Sequence, residues 1–198
     1  EGPVWAEDGS LFFVEVANGL LRRLSPQGKL STAADLGDGP NGAAFGPDGA
    51  LYVCNNGGFA WHRDEHGPRP VAPSSGYRGG YIQRVDPETG RFDVLYDKVD
   101  GRPLLGPNDI VFDKTGGFWF TDLGKARPSE RSRDIGSVYY AKADGSLIKE
   151  VIFPVVTPNG ISLSPDEKTL YVADTEPARV WAFDITSPGV IEKHPFPS

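Results

Sequence analysis

The sequence has no methionine and a single cysteine, Cys54. One thiol excludes an internal disulfide and leans the chain toward a reducing compartment such as the cytoplasm. No stretch approaches the ~18 apolar residues needed to span a bilayer, and no signal-peptide pattern is visible. Without methionine, Glu1 is not a translational start. The chain is therefore expected to be a piece of a longer protein, and the missing leader leaves a periplasmic or secreted location open. There is no Lys/Arg run, and 20 basic against 27 acidic residues give a net charge of −7, so a nucleic-acid surface is not expected. The histidines His62, His66 and His194 lack zinc-ligand spacing. No Gly-x-Ser-x-Gly elbow supplies a serine nucleophile. No segment of about 11 residues or more keeps a helical period.

What is present is glycine (25), proline (18) and one stretch that occurs four times. Its clearest copy is TPNGISLSPDEKTLYVADT from Thr157; the others are EGPVWAEDGSLFFVEV from Glu1, PNGAAFGPDGALYVCN from Pro40 and GPNDIVFDKTGGFWFTD from Gly106. Each copy opens with Glu1, Asn41, Asn108 or Asn159. An alternating apolar run follows, then a tight turn containing Asp8, Asp48, Lys114-Thr115-Gly116 or Asp166. A second apolar run closes on Glu15, Asn55, Asp122 or Asp174. This is the pattern of a β-hairpin. A second pair of strands follows in every copy: Leu20 to Leu24 with Lys29 to Ala33, Tyr81 to Val85 with Arg91 to Tyr96, Ser137 to Ala141 with Leu147 to Ile152, and Val180 to Ile185 with Val190 to Lys193.

Four strands recurring at such intervals predict an all-β chain: a β-propeller of four-stranded antiparallel blades. The blades are placed at approximately 1–39, 40–106, 107–157 and 158–198 of a single partial domain. About four blades are expected here and six in the full protein, with the two end blades left open. Asn55 to Gly80 reads as a long loop too polar and too broken for a core element, and the segment after Asp122 as a charged loop.

The hairpin plan places the opening residues of every copy on one face, and the innermost strands bring them toward the axis. A glutamate with several asparagine amides there offers only oxygen donors, which suit a hard cation such as Ca²⁺, Mg²⁺ or Mn²⁺. Asn-Gly is also a common turn pair, so Asn41 and Asn159 are open to a purely conformational role. Asp109 is a candidate ligand or general base, or a cap on the loop backbone. Asn56, Trp61 and His62 on the long loop are candidates to line a pocket above the mouth, with Tyr77 and Arg78 as weaker ones. Asp122 and Asp174 are expected to bind loop N–H groups, and Cys54 to be core.

At EGPVW, PNDIVFDKTGGFWFTD and TPNGISLSPDEKTLYVADT the sequence resembles the senescence-marker-protein, gluconolactonase and luciferin-regenerating-enzyme family, through ordered motifs over essentially the whole chain. The PND form and the FTD ending look closest to its bacterial lactonases. The resemblance implies a six-bladed propeller with an axial divalent cation, Ca²⁺ first, with Mg²⁺, Mn²⁺ or Zn²⁺ as alternatives. Glu1 and Asn159 match ligands, as would an Asp expected after Ser198. Asn108 matches an Asn at the cation and substrate, and Asp109 an Asp important in the lactonase branch. Gly106-Pro107 stands where the animal proteins carry an Arg, which weakens any claim to their sugar preference.

The implied activity is metal-dependent hydrolysis of sugar or related small lactones, with a small molecule as partner and the oligomeric state open. The alternatives are an arylesterase-like or organophosphate hydrolase on the same scaffold, or a non-catalytic ligand-binding propeller.

Overall fold

The computed structural model describes residues 1–192. Lys193 and His194, read above as a strand end and a lone histidine, lie outside the described residues. Within them four antiparallel four-stranded sheets follow one another. The first runs through Val4–Trp5, Leu11–Glu15, Leu20–Leu24 and Leu30–Asp35. The second uses Pro40–Phe45, Leu51–Asn55, Tyr81–Val85 and Phe92–Tyr96. Pro107–Phe112, Gly117–Asp122, Gly136–Lys142 and Ile148–Val155 form the third. Pro158–Leu163, Thr169–Asp174, Arg179–Ser187 and Val190–Ile191 form the fourth. This is the propeller architecture that the repeat predicts.

The hairpin turns are built by their aspartates. Asp8, Asp48, Asp113 and Asp166 each accept the N–H two residues on, from Ser10, Ala50, Thr115 and Lys168. A side chain that bonds the backbone two residues ahead stabilises the reversal without tertiary help. These aspartates are scaffold.

The sheets stack face to face, and strand alternation divides each apolar run between two cores. In Leu51–Asn55, Leu51 and Val53 join Phe12, Val14 and Leu21 of the first sheet, while Tyr52 and Cys54 join Phe118 and Phe120 of the third. In Gly117–Asp122 the partition repeats: Phe118 and Phe120 face the second sheet, and Trp119 packs with Ile161, Leu170 and Val172 of the fourth. Both strands are buried along their whole length, which explains their continuous apolar runs. Cys54 is a free, buried thiol whose pKa burial pushes well up, so it is core rather than reactive.

The expected loops hold more structure than their sequence shows. Within 55–80 the strands Phe59–Asp64 and Gly67–Pro73 form a separate two-stranded hairpin. Its second strand is rich in proline because it pairs on one side only, so missing N–H groups cost no ladder bond on the other. The loop after Asp122 contains a short ladder, Ala126–Arg127 with Ser132–Arg133, and a single 3₁₀ turn at Pro128–Glu130. A further small ladder joins Lys98–Val99 to Arg102–Pro103.

Candidate active site at the propeller mouth

Three of the four hairpins close with the same register. Pro40 pairs with Asn55, Pro107 with Asp122 and Pro158 with Asp174, and in each the ladder slips before it resumes at Ala43, Ile110 or Ile161. A bulge at this point leaves two residues out of the regular pleat and re-aims their side chains. Those residues are Asn41-Gly42, Asn108-Asp109 and Asn159-Gly160. In the first sheet there is no such slip, and Glu1 opens the repeat with its backbone paired to Val14 in both directions (3.0 and 3.2 Å). The opening residue of every repeat thus sits beside the residue that closes it.

The inner strands are close enough to touch here. A Cβ on Gly42 would lie 2.6 Å from the Asp109 Cα, and one on Gly2 2.6 Å from the Asn41 carbonyl oxygen, so glycine is required at both points. Thr121 Oγ1 accepts from the Asp109 N–H (3.1 Å) and donates to the Asn159 carbonyl (2.6 Å). Asp109 bridges the third and fourth sheets: Oδ1 accepts from the Ile110 N–H (2.9 Å) and Oδ2 from the Ile161 N–H (3.0 Å). Burial raises its pKa above the usual carboxylate value. The two N–H bonds pull it back and the nearby Glu1 charge adds to the rise. Asp109 therefore caps backbone groups, and each oxygen retains a further lone pair.

Three of the four closing residues are saturated; the fourth, Glu15, is partly exposed and binds Asn18 and Arg22. Asp122 accepts from Leu105, Gly106 and Gly124 N–H groups (2.7, 2.6 and 2.9 Å). Asp174 accepts from the Thr157 N–H and hydroxyl and from the Trp181 indole. Asn55 accepts from Gly39 and Gly57 and donates to Gly37 and Gln83. By contrast, the side chains of Glu1, Asn41, Asn108 and Asn159 make no hydrogen bond or ion pair among the described residues. Asn108 is only 7% exposed, yet its amide is not among the atoms sealed from solvent without a partner, which are Arg22 Nε, Asn56 Nδ2 and Arg133 Nε.

Among the described residues no group of three or more His, Cys, Asp or Glu is arranged to hold a metal ion. The donor set at the mouth is of another kind: one carboxylate with neutral amide oxygens, whose lone pairs no protein donor occupies. That chemistry fits a hard, oxygen-seeking divalent cation.

The candidates on the insertion are separated by the structure. Asn56 is 2% exposed; its Oδ1 accepts from the Gly58 N–H (2.9 Å) and from Lys125 Nζ (2.8 Å). Trp61 packs edge-on to Phe59. His62, next along the strand, points to the other face, where it is exposed beside Asp64. Tyr77 donates its hydroxyl to the Leu105 carbonyl. Arg78 lines a recess of about 370 Å³ with Asp38, Tyr81, Asp97 and Lys98, which does not include Glu1, Asn108, Asp109 or Asn159. Sequence reasoning missed Lys125, which it placed in a charged loop; a buried lysine has no local signature.

The profile of the SMP-30/gluconolactonase/LRE-like region matches residues 1–196. The chain belongs to this family. It is 28% identical to a gluconolactonase of Zymomonas mobilis over 211 residues, covering 96% of this chain and 53% of that protein. Against lactonase drp35 of Staphylococcus aureus it is 28% identical over 192 residues, covering 96% and 52%. The family member thus spans about half the length of these curated relatives. A gluconolactonase of Xanthomonas campestris superimposes with a TM-score of 0.75 at 26% identity, over 98% of this chain and 60% of that one.

Proposed function

We propose that the mouth of this propeller belongs to a metal-dependent lactonase acting on sugar or related small lactones. The carrying observation is the set of unpaired oxygen donors at Glu1, Asn108 and Asn159, at hairpin ends where the closing residues Asn55, Asp122 and Asp174 are saturated. An unpaired amide held near the axis has not been given a structural task, and binding is the task that remains. The named relatives, a gluconolactonase and a lactonase, support the choice of lactones.

In this reading Glu1, Asn108 and Asn159 hold the cation through oxygen. When bound, the cation supplies Lewis acidity to the ring carbonyl and orients water. The Asn108 amide nitrogen remains free to donate to a ring or carbonyl oxygen of the substrate. Asp109 accepts the proton of the attacking water. Burial raises its pKa above the usual carboxylate value, which makes it a better base than an exposed aspartate. Its bonds to Ile110 and Ile161 fix the carboxylate, so little reorientation accompanies the transfer.

The test is hydrolysis of a panel of lactones, aryl esters and phosphotriesters by the full-length protein, before and after chelation. Lactone turnover lost on chelation and restored by a divalent cation is expected. Turnover indifferent to chelator, or confined to aryl esters or phosphotriesters, overturns the reading.

A further inference from the structure

Lys125 is the one buried lysine or arginine among the described residues, at 1% exposure, and nothing above uses it. Its ammonium donates to Asn56 Oδ1 (2.8 Å) and to the Gly58 carbonyl (3.1 Å). It also lies 3.6 Å from the centre of the Phe59 ring and 5.2 Å from that of Tyr77. All four partners belong to the segment inserted after Asn55. Lys125 belongs to the loop that leaves the third sheet.

Each side of this contact is itself tethered. The Lys125 N–H donates to Asp134 Oδ2 (3.0 Å), its carbonyl accepts from the Asp134 N–H (2.9 Å), and Arg127 pairs with Asp134 (2.7 Å). On the insertion, Gly58 has φ +90°, a conformation that side chains oppose. The strand Gly67–Pro73 lies alongside Ala126–Arg127. Asn56 Oδ1 is held by both Gly58 and Lys125, which fixes the amide and leaves its Nδ2 buried without a partner. Two hydrogen bonds and a ring face surround the ammonium, so its place is set by the insertion and not by solvent.

We infer that Lys125 is a positioning residue that clamps the inserted hairpin to the loop leaving the third sheet. The hairpin so held begins just after Asn55, which pairs with Pro40 beside the opening residue Asn41, and it governs how tightly a substrate is held more than how fast it reacts. The clamp stands on the contacts alone; the substrate clause rests on the proposed function.

Titration gives the clamp a signature that simple packing lacks. Burial lowers the Lys125 pKa to about 7; Asp122, Asp134 and Asp38 oppose that fall and Arg127 adds to it. Released into solvent, the lysine returns toward 10.5. Opening the hairpin therefore takes up a proton above about pH 7. The opening equilibrium should fall roughly tenfold for each pH unit above that point, and stay flat below it.

The experiment is hydrogen exchange of residues 57–80 in the full-length protein between pH 6 and 9, corrected for intrinsic rate, for the native chain and Lys125→Met. The native segment should gain up to about a hundredfold protection between pH 7 and 9. Lys125→Met should exchange faster there, without that slope and without change in the four sheets. Its KM for a hydrolysed lactone should rise about fivefold or more, with kcat within about twofold. Equal protection in both proteins, or loosening spread over the sheets, overturns the clamp. Should Lys125→Met fail to fold, the native slope decides alone, and a flat one overturns the clamp. Faster exchange with unchanged KM upholds the clamp and overturns the substrate clause. Absence of lactone hydrolysis in the native protein overturns the proposed function and leaves the exchange result to judge the clamp.

Discussion

The two ends of each repeat use the same kinds of residue for opposite purposes. Asn55, Asp122 and Asp174, at the closing end, spend their oxygens on backbone N–H groups of the adjoining loops. Glu1, Asn41, Asn108 and Asn159, at the opening end, spend none on the described protein. Asp122 is paired across the ladder with Pro107, so a single step along the chain separates scaffold from candidate site. The difference arises from the strand geometry. The closing residue lies beside the crossing that enters the inner strand of its own sheet, where N–H groups need acceptors. Asn41, Asn108 and Asn159 lie in a bulge that turns them away from the ladder, while Glu1 is held by its backbone at the start of the first strand. Saturation, rather than polarity or burial, distinguishes the two.

The largest test of this contrast is a pair of substitutions with opposite signatures. Asp122→Ala strands three N–H groups, two of them buried, and should cost roughly 3–5 kcal/mol of folding stability. Glu1→Gln should leave stability within about 0.5 kcal/mol, because it removes no bond to the protein. It should lower lactonase kcat/KM by about a hundredfold or more, with loss of bound cation. Chemical denaturation of the full-length variants reads the first effect; turnover and metal content read the second. A stable Asp122→Ala, or a Glu1→Gln that unfolds while keeping its metal, would erase the distinction between the two ends.

Much of the fold was legible in the sequence because it depends on local order. Alternation, Asp-containing turns and a repeated hairpin specify their own strands. The inserted hairpin was not legible, since Pro68, Pro70 and Pro73 argue against a strand unless one edge is known to be free. Nor was Lys125, whose burial depends on Phe59 and Asn56, far away in sequence. The opening and closing residues could be found by their repetition. Which of them remain unpaired could not, because Asn41 and Asn55 differ only in what the chain brings next to them.

Asp109 stands between the two groups, since it caps Ile110 and Ile161 yet is proposed as the base. Asp109→Asn should lower kcat by about 10²- to 10⁴-fold, with a modest loss of stability as one acceptor is replaced by a donor. In the native protein kcat/KM should fall tenfold per pH unit below its raised pKa. The stability sign is opposite. Between pH 3.8 and the raised value the folded chain holds a proton that the unfolded chain has released, so stability declines as pH rises through that window. Both slopes should vanish in Asp109→Asn. If only the stability slope vanished and turnover survived, Asp109 would join the scaffold.

Asn41 gives the smallest expected effect and the finest test. Its side chain is as free of protein partners as that of Asn159, and it follows a proline in an equivalent bulge. Saturation alone would therefore class the two together. Their surroundings differ: the Asn41 carbonyl is crowded by Gly2, whereas the Asn159 carbonyl accepts from Thr121, which also binds the Asp109 N–H. Asn159 is thus tied through backbone to the proposed base, and Asn41 is tied to the first strand. Asn41→Ala should change stability by less than about 0.5 kcal/mol. It should leave kcat/KM within a few-fold of the native value, while Asn159→Ala lowers it by at least about tenfold with weaker cation binding. Equal losses in the two variants would make every unpaired opening residue a ligand, and the ring of donors would then be four-fold rather than three-fold.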